Sequence, residues 1–162
     1  MATKTTQDQK YHKKFAVDLF NYVWTLLEKP DRTRAENDTM LNAAHASRLH
    51  WEMVGKPVNL VRGDWQISHV YCALGRTEPA LYHARRCLEI CKENHIEGFD
   101  LAYAYEALAR VYSVAKRPIE CNYYLKLALQ TGDQIVEEDD KNQFLNDLGT
   151  IETPEFPHLN GP

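Results

Sequence analysis

The stretch NAAHASRLHWEMVG, residues 42–55, places two histidines and an arginine, His45, Arg48 and His50, among small residues. On a helix, His45 and Arg48 share one stripe. Burying either group among the alanines costs free energy unless it finds a partner, so we expect a polar network. Two interpretations stay open. Arg48 pairs with an acid on a neighbouring helix, as buried charges generally do, or His45, Arg48, Arg62 and His69 form an anion pocket.

A second stretch, HARRCLEICKENH, spaces His83, Cys87, Cys91 and His95 at intervals of four residues. Two side chains at that interval are able to share a metal ion. All four side chains cannot bind one ion, because the helix from His83 to His95 spans about 18 Å and zinc holds its ligands at about 2.0 to 2.3 Å. We expect the cysteines to be reduced thiols that pack as small core residues. The sequence therefore predicts no metal site and no cofactor.

Several classes of protein are disfavoured by composition and by missing motifs. The chain contains no HExxH, no phosphate-binding glycine loop and no GxSxG, so the enzymes that use them are excluded, although catalysis of another kind stays uncertain. With 19 basic against 23 acidic residues, nothing points to nucleic acid as partner. The absence of a secretory signal and of a long apolar run predicts a cytoplasmic protein without a membrane partner.

The elements that must position these side chains are helices. The chain has only seven glycines and seven prolines, and most of them separate long segments with apolar residues at spacings of three and four. This pattern predicts an all-α fold of about six or seven helices in antiparallel hairpins. Asp38 or Thr39 is expected to cap the second helix, and Asp100 the fifth. The expected organisation is one domain at 1–149, with a first hairpin at 8–55, repeat units at 58–95 and 99–136, a capping helix at 140–148, and an extended, mobile tail at 150–162.

The third to sixth helices repeat with a period of about 41 residues. Ser68 and Tyr71 in ISHVY align with Ala109 and Tyr112 in LARVY. The small residue lets the paired helix approach, and the tyrosine one turn later fills the space beyond it. The pattern resembles the tetratricopeptide repeat (TPR) in a long-period variant. The resemblance implies a right-handed α-α superhelix that binds partners on a concave face lined by the first helix of each hairpin.

Helical geometry selects the side chains of that concave face. Arginine forms bidentate contacts with a carboxylate or phosphate, and Trp65 or Tyr103 would cover an apolar side chain beside it. We therefore expect a non-catalytic module that recognises a peptide or protein segment. The candidate binding residues on this face are Arg62, Trp65, Gln66, His69, Tyr103, Glu106 and Arg110.

Three alternatives to peptide binding stay open. In the first, Arg62 pairs with Asp64 or another nearby acid while Trp65 packs between hairpins, which leaves only a solvated surface. In the second, the polar cluster around His45 and Arg48 serves a small-molecule sensor, an anion-binding protein or an enzyme. In the third, the chain is a self-assembling scaffold, so that a second copy or its own tail fills the groove and the protein is a homo-oligomer.

Overall fold

Proline and glycine residues stand at most of the breaks between helices, and proline opens two of the helices. The computed structural model of the protein describes residues 6–155, and its regular secondary structure there is entirely helical. The predicted all-α fold is therefore confirmed. The helices are α1 (Thr6–Leu27), α2 (Arg34–Val54), α3 (Pro57–Ala73), α4 (Thr77–Glu93), α5 (Phe99–Val114), α6 (Pro118–Gly132) and α7 (Glu138–Gly149).

Consecutive helices pack as hairpins. α1 packs most extensively on α2, α3 on α4, and α5 on α6. α3 also contacts α1 and α5, and α7 contacts α5. The helices α1, α3, α5 and α7 thus form a continuous inner row that α2, α4 and α6 back from outside. This stacking of helical hairpins agrees with a helical repeat.

The period of 41 residues reappears in the backbone. Gly75 and Lys116 follow α3 and α5 at equivalent positions, and both lie in the left-handed region, with φ of 68° and 57°. The backbone amide after each donates a hydrogen bond to the carbonyl oxygen of Tyr71 or Tyr112, at 2.9 Å in both cases. This geometry satisfies the last carbonyls of a helix and suits glycine best. The two units therefore end their first helices alike.

Two of the predicted helix caps are wrong. α2 begins after Thr33, whose hydroxyl oxygen accepts from the Glu36 amide at 3.2 Å while the Thr33 amide donates to the Glu36 carboxylate at 2.8 Å. This reciprocal capping box starts the helix one turn before Asp38 and Thr39. α5 begins at Phe99, so Asp100 lies inside its first turn and is free to pair elsewhere.

The four cysteines, Cys72, Cys87, Cys91 and Cys121, are buried free thiols, as predicted. Within residues 6–155, no group of three or more histidine, cysteine, aspartate or glutamate side chains is arranged to hold a metal ion. No helix in that range has the length and apolarity needed to cross a bilayer.

The segment predicted as a tail begins by packing on the helices. Ile151 is buried, and the Ser113 hydroxyl donates a hydrogen bond to the carbonyl oxygen of Glu152. An isoleucine two residues after α7 has apolar surface to bury, which holds this start of the segment against the core. Residues 156–162 of the predicted tail lie outside the described residues.

Candidate functional site

The inner row of helices encloses a groove of about 580 Å³, which we name the inner groove. Each of its four helices contributes side chains, so the hairpin stacking creates it and α7 closes it on one side. The lining residues are Phe20, Trp24 and Leu27 on α1 with Glu28 directly after it, Val61, Arg62, Trp65 and His69 on α3, Phe99, Asp100, Tyr103 and Arg110 on α5, and Gln143 and Asp147 on α7 with Thr150 directly after it.

An aromatic surface forms one wall of the inner groove. The ring centroids of Trp24 and Trp65 are 5.4 Å apart, those of Trp65 and Tyr103 are 5.2 Å apart, and those of Tyr103 and Phe99 are 4.8 Å apart. Tilted and edge-to-face contacts at these distances are favourable. Three successive inner helices therefore share one apolar surface that is able to cover an apolar side chain.

Trp65 is held in place from behind by Glu106. The Glu106 side chain is fully buried, accepts a hydrogen bond from Trp65 Nε1 at 2.8 Å and accepts another from Arg110 Nε at 2.7 Å. Burial raises the pKa of Glu106, while the Arg110 charge and these hydrogen bonds act in the opposite direction. Glu106, predicted as a groove residue, therefore lies behind the wall and positions the two residues that do line it.

Both arginines of the inner groove are already engaged within the chain. Arg62 donates from Nε and Nη2 to the two carboxylate oxygens of Asp100, at 2.7 and 3.1 Å. Arg110 donates from Nη2 to the carbonyl oxygen of Asp147 at 3.0 Å and to Thr150 Oγ1 at 2.9 Å, in addition to its bonds with the buried glutamate. The bidentate fork that would capture an acidic ligand is thus occupied.

The carboxylates of the inner groove are less fully compensated than its arginines. Asp147 accepts a hydrogen bond from the Tyr103 hydroxyl at 2.6 Å, and burial together with this carboxylate raises the pKa of Tyr103. Glu28, directly after α1, is exposed and makes no ion pair with any residue in the range 6–155. The groove therefore presents negative charge on two of its walls.

His69 lines the groove as a neutral aromatic group. Its ring lies 5.7 Å from that of Trp24 and 5.4 Å from that of Trp65. Burial, with a smaller contribution from the Arg110 charge, lowers the pKa of His69 to about 3. Its Nδ1 is buried and has no hydrogen-bond partner among the described residues. His69 therefore adds no positive charge to the groove at neutral pH.

Gln66 does not line the inner groove, although the sequence placed it there. It is buried, and its Nε2 donates to the carbonyl oxygen of Phe20 at 2.9 Å. The reason is that α1 packs directly on this side of α3, where the amide ties the two helices together. The sequence-predicted residues that the structure does bring into the groove are Arg62, Trp65, His69, Tyr103 and Arg110.

The remaining predicted residues, His45 and Arg48, lie in a different place. They line a hollow of about 250 Å³ between α2, α3 and α4, which we name the outer hollow. Arg62 and His69 line the inner groove instead, so the predicted anion pocket of these four residues does not form. The reason is that α3 presents these two residues to α1 and α5, and turns another face to α2. The outer hollow is lined by His45, Arg48, Leu49, Glu52, Asp64, Ile67, Tyr82, His83 and Arg86.

A buried aspartate organises the outer hollow. Asp64 accepts from Arg48 Nε at 2.9 Å and, with its other oxygen, from His83 Nδ1 at 2.8 Å. His45 Nε2 lies 3.1 Å from the Tyr71 hydroxyl, and burial lowers the pKa of His45. The predicted pairing of Arg48 with an acid on a neighbouring helix is confirmed. Of the two partners expected for Arg62, Asp64 is wrong and another nearby acid is right, since Arg62 pairs with Asp100.

The lining residues missed at the level of sequence include Trp24, Glu28 and Asp147. α1 is the first helix of the first hairpin, so the rule that selected the stripe on α3 would have selected Trp24 if it had been extended to α1. The 41-residue period that relates Trp24 to Trp65 also relates Glu106 to Asp147, so extending the repeat into α7 would have selected Asp147 as well.

The fold and groove together define a class of protein, an all-helical stack of hairpins with a recess along its inner row. Comparisons with family models, with curated proteins and with solved structures found no match to this chain. The functional argument therefore depends on the geometry of the site.

Proposed function

We propose that the chain is a non-catalytic, TPR-like protein–protein interaction module of the cytoplasm, which binds a peptide or protein segment in the inner groove. The observation that carries the proposal is the continuous aromatic surface of Trp24, Trp65 and Tyr103 within a groove of about 580 Å³. Ligand sites generally measure about 300 to 1,000 Å³, and they combine an apolar lining with a few polar groups. The inner groove has both properties.

The arrangement of helices also favours a peptide. The inner groove crosses α1, α3, α5 and α7, so a bound segment would meet side chains from every hairpin in turn. Aromatic residues are the usual anchors of protein interfaces because they bury much apolar area and lose few rotamers. Buried free thiols at all four cysteines suit the reducing conditions of the cytoplasm.

The titratable groups of the groove support a binding role over a catalytic one. A general base works best with a pKa near the ambient pH, whereas the pKa of His69 is lowered to about 3. Glu106 is sealed behind Trp65 and already accepts from Arg110. The alternative sensor or enzyme built on His45, Arg48, Arg62 and His69 loses its support, since those side chains line two separate cavities.

The test uses one obstructing substitution and a matched control on the same helix. Gln143 is exposed and lines the inner groove, while its neighbour Asn142 is exposed outside it. Peptides selected from a random displayed library on the wild-type protein are titrated against Gln143→Phe and Asn142→Phe. We expect Gln143→Phe to weaken binding at least about tenfold, because a phenyl ring occupies ligand space, and Asn142→Phe to leave it unchanged.

Two results would contradict the proposal. The first is a selection that yields no peptide, and the second is a set of peptides that bind both variants equally. Circular dichroism of both variants must match that of the wild type, which ensures that lost binding reports obstruction and not unfolding.

A further inference from the structure

We infer that the segment bound in the inner groove carries a basic side chain, lysine or arginine, next to an apolar one. This inference rests on the proposed function and adds the charge of the ligand to it. It reverses the expectation from sequence, in which the two arginines capture an acidic group. Three sets of observations support it: the pairing of the arginines, the surplus of carboxylates and the neutral aromatic wall.

The first step is the pairing of the positive charges. Arg62 is matched by Asp100 through two hydrogen bonds. Arg110 is matched by the fully buried Glu106. Each arginine therefore contributes a neutral pair to the groove, and an incoming carboxylate would either meet the repulsion of the carboxylate already present or have to break the pair. Breaking such a pair leaves a charge without its partner, which is costly.

The second step is the charge that remains. When these pairs are set aside, the groove retains the carboxylates of Glu28, directly after α1, and of Asp147 on α7. Asp147 accepts the Tyr103 hydroxyl with Oδ2, a neutral donor that leaves its charge uncompensated. Asp140, in the first turn of α7, lies close enough to Arg62 to help to raise its pKa, and so adds negative charge near this rim. A basic ligand is attracted from two sides and an acidic one is repelled.

The third step is the wall against which a cation would lie. Trp24, Trp65 and Tyr103 line the groove, the two indoles half-buried and Tyr103 buried behind them, and aromatic rings attract ammonium and guanidinium groups through their faces. His69 contacts both indoles as a neutral imidazole with a buried Nδ1 that has no partner among the described residues. A protonated histidine there would repel a cation, and the buried environment prevents that protonation at neutral pH. The stem of a lysine or arginine would cover the same rings.

The experiment measures the charge preference directly. Peptides selected on the wild-type protein are sorted into those that Gln143→Phe blocks and those that it does not. Among the blocked peptides we expect lysine or arginine beside leucine, phenylalanine or tryptophan. Replacing the basic residue of such a peptide by glutamine should weaken its binding about three- to tenfold, and added salt should weaken the parent peptide more than its glutamine analogue.

Substitutions in the protein test the same charges from the other side. Glu28→Gln and Asp147→Asn should each weaken the basic peptides about three- to tenfold. Both replacements keep the side-chain size, and asparagine at 147 still accepts the Tyr103 hydroxyl. Glu93→Gln is the matched control, because Glu93 is exposed on α4 and does not line the groove. It should leave binding unchanged.

The possible outcomes separate this inference from the function on which it rests. Acidic or uncharged peptides that Gln143→Phe blocks would overturn the inferred charge and leave peptide binding in the groove intact. Basic peptides whose affinity is the same in Glu28→Gln, Asp147→Asn and Glu93→Gln would also overturn it. A selection without any groove-dependent peptide would overturn both proposals.

Discussion

The inner groove and the outer hollow lie on different sides of α3 and use the same kinds of side chain. Each contains arginine, histidine, carboxylate and aromatic residues. In the outer hollow the buried carboxylate of Asp64 is shared between Arg48 and His83. In the inner groove the arginines are matched, but Glu28 and Asp147 retain uncompensated charge beside a broad aromatic surface.

This difference shows that the types and spacing of residues identify a face of a helix. They do not show whether the fold supplies partners for the polar groups on that face. Asp64 and Trp65 are adjacent in sequence and lie about 100° apart around α3, as the geometry of 3.6 residues per turn requires. Asp64 is enclosed by its neighbours, whereas Trp65 faces the inner groove. Sites for partners are expected where the fold leaves charge and apolar area unmatched, and not simply where polar residues cluster.

The largest effect should follow from breaking the network of the outer hollow. Asp64→Ala leaves Arg48 and His83 without their shared acceptor in a site where the carboxylate side chain is only 4% exposed. We expect the free energy of unfolding to fall by about 3 kcal/mol, because removing one member of a buried ion pair strands the other. Urea denaturation followed by circular dichroism measures this change.

The matched control for Asp64→Ala removes the other acid that pairs with the same arginine. Glu52 lies 3.2 Å from Arg48 but is 63% exposed, so Glu52→Ala should cost less than about 0.5 kcal/mol. Peptide binding in the inner groove should be unchanged in folded Asp64→Ala protein. Equal losses of stability in the two variants would show that the outer hollow is not a buried network.

Acid should destabilise the protein through histidines that the fold keeps neutral. Burial lowers the pKa of His69 to about 3, whereas an unfolded histidine titrates near 6.5. The unfolded state therefore binds the proton first, and the stability that is fully present above about pH 6.5 is lost as the pH falls towards 3. His69 alone should cost about 2 kcal/mol by pH 5.

The variant His69→Phe isolates that effect, because phenylalanine suits the indoles around it and does not titrate. Unfolding curves at pH 7 and pH 5 should differ less for His69→Phe than for the wild type. His45 and His50, whose pKa values burial also lowers, contribute to the pH dependence that remains. Identical pH dependence in the two proteins would mean that His69 is protonated without penalty in the folded state.

The repeat is the part of the fold that the sequence predicts well. Small residues and tyrosines recur at a fixed interval, and the structure places the residues at 65 and 106, one period apart, in direct contact: Trp65 Nε1 donates to Glu106 at 2.8 Å. A translation along the stack brings equivalent positions together, so periodicity alone anticipates which helices form the inner row.

The candidate site is predicted less completely, for a physical reason. Helical periodicity places Arg62, Trp65, His69, Tyr103 and Arg110 on the groove, as the structure does. It does not specify ion-pair partners, because these come from distant helices whose register depends on packing. The pairings of Arg62 with Asp100 and of Arg110 with Glu106 reverse the expected charge of the ligand, and only the folded chain shows them.

The smallest predicted effect discriminates most sharply between the sequence-based hypothesis and the structural one. Arg62 is 52% exposed, so Arg62→Gln should lower the free energy of unfolding by no more than about 1 kcal/mol. If Arg62 captured an acidic group, the substitution would weaken the groove's ligand. Because it pairs with Asp100 instead, its removal frees a third carboxylate, and basic peptides should bind about two- to threefold more tightly.

Titration of a labelled basic peptide measures the sign of that change. Arg85→Gln is the matched control, since Arg85 is exposed on α4 outside the groove and removes the same unit of charge from the protein. A gain in affinity with Arg62→Gln that exceeds the gain with Arg85→Gln would assign the effect to the freed Asp100. Equal gains in affinity with the two variants would attribute the effect to the net charge of the protein. Weaker binding by Arg62→Gln would show that Arg62 contacts the ligand directly.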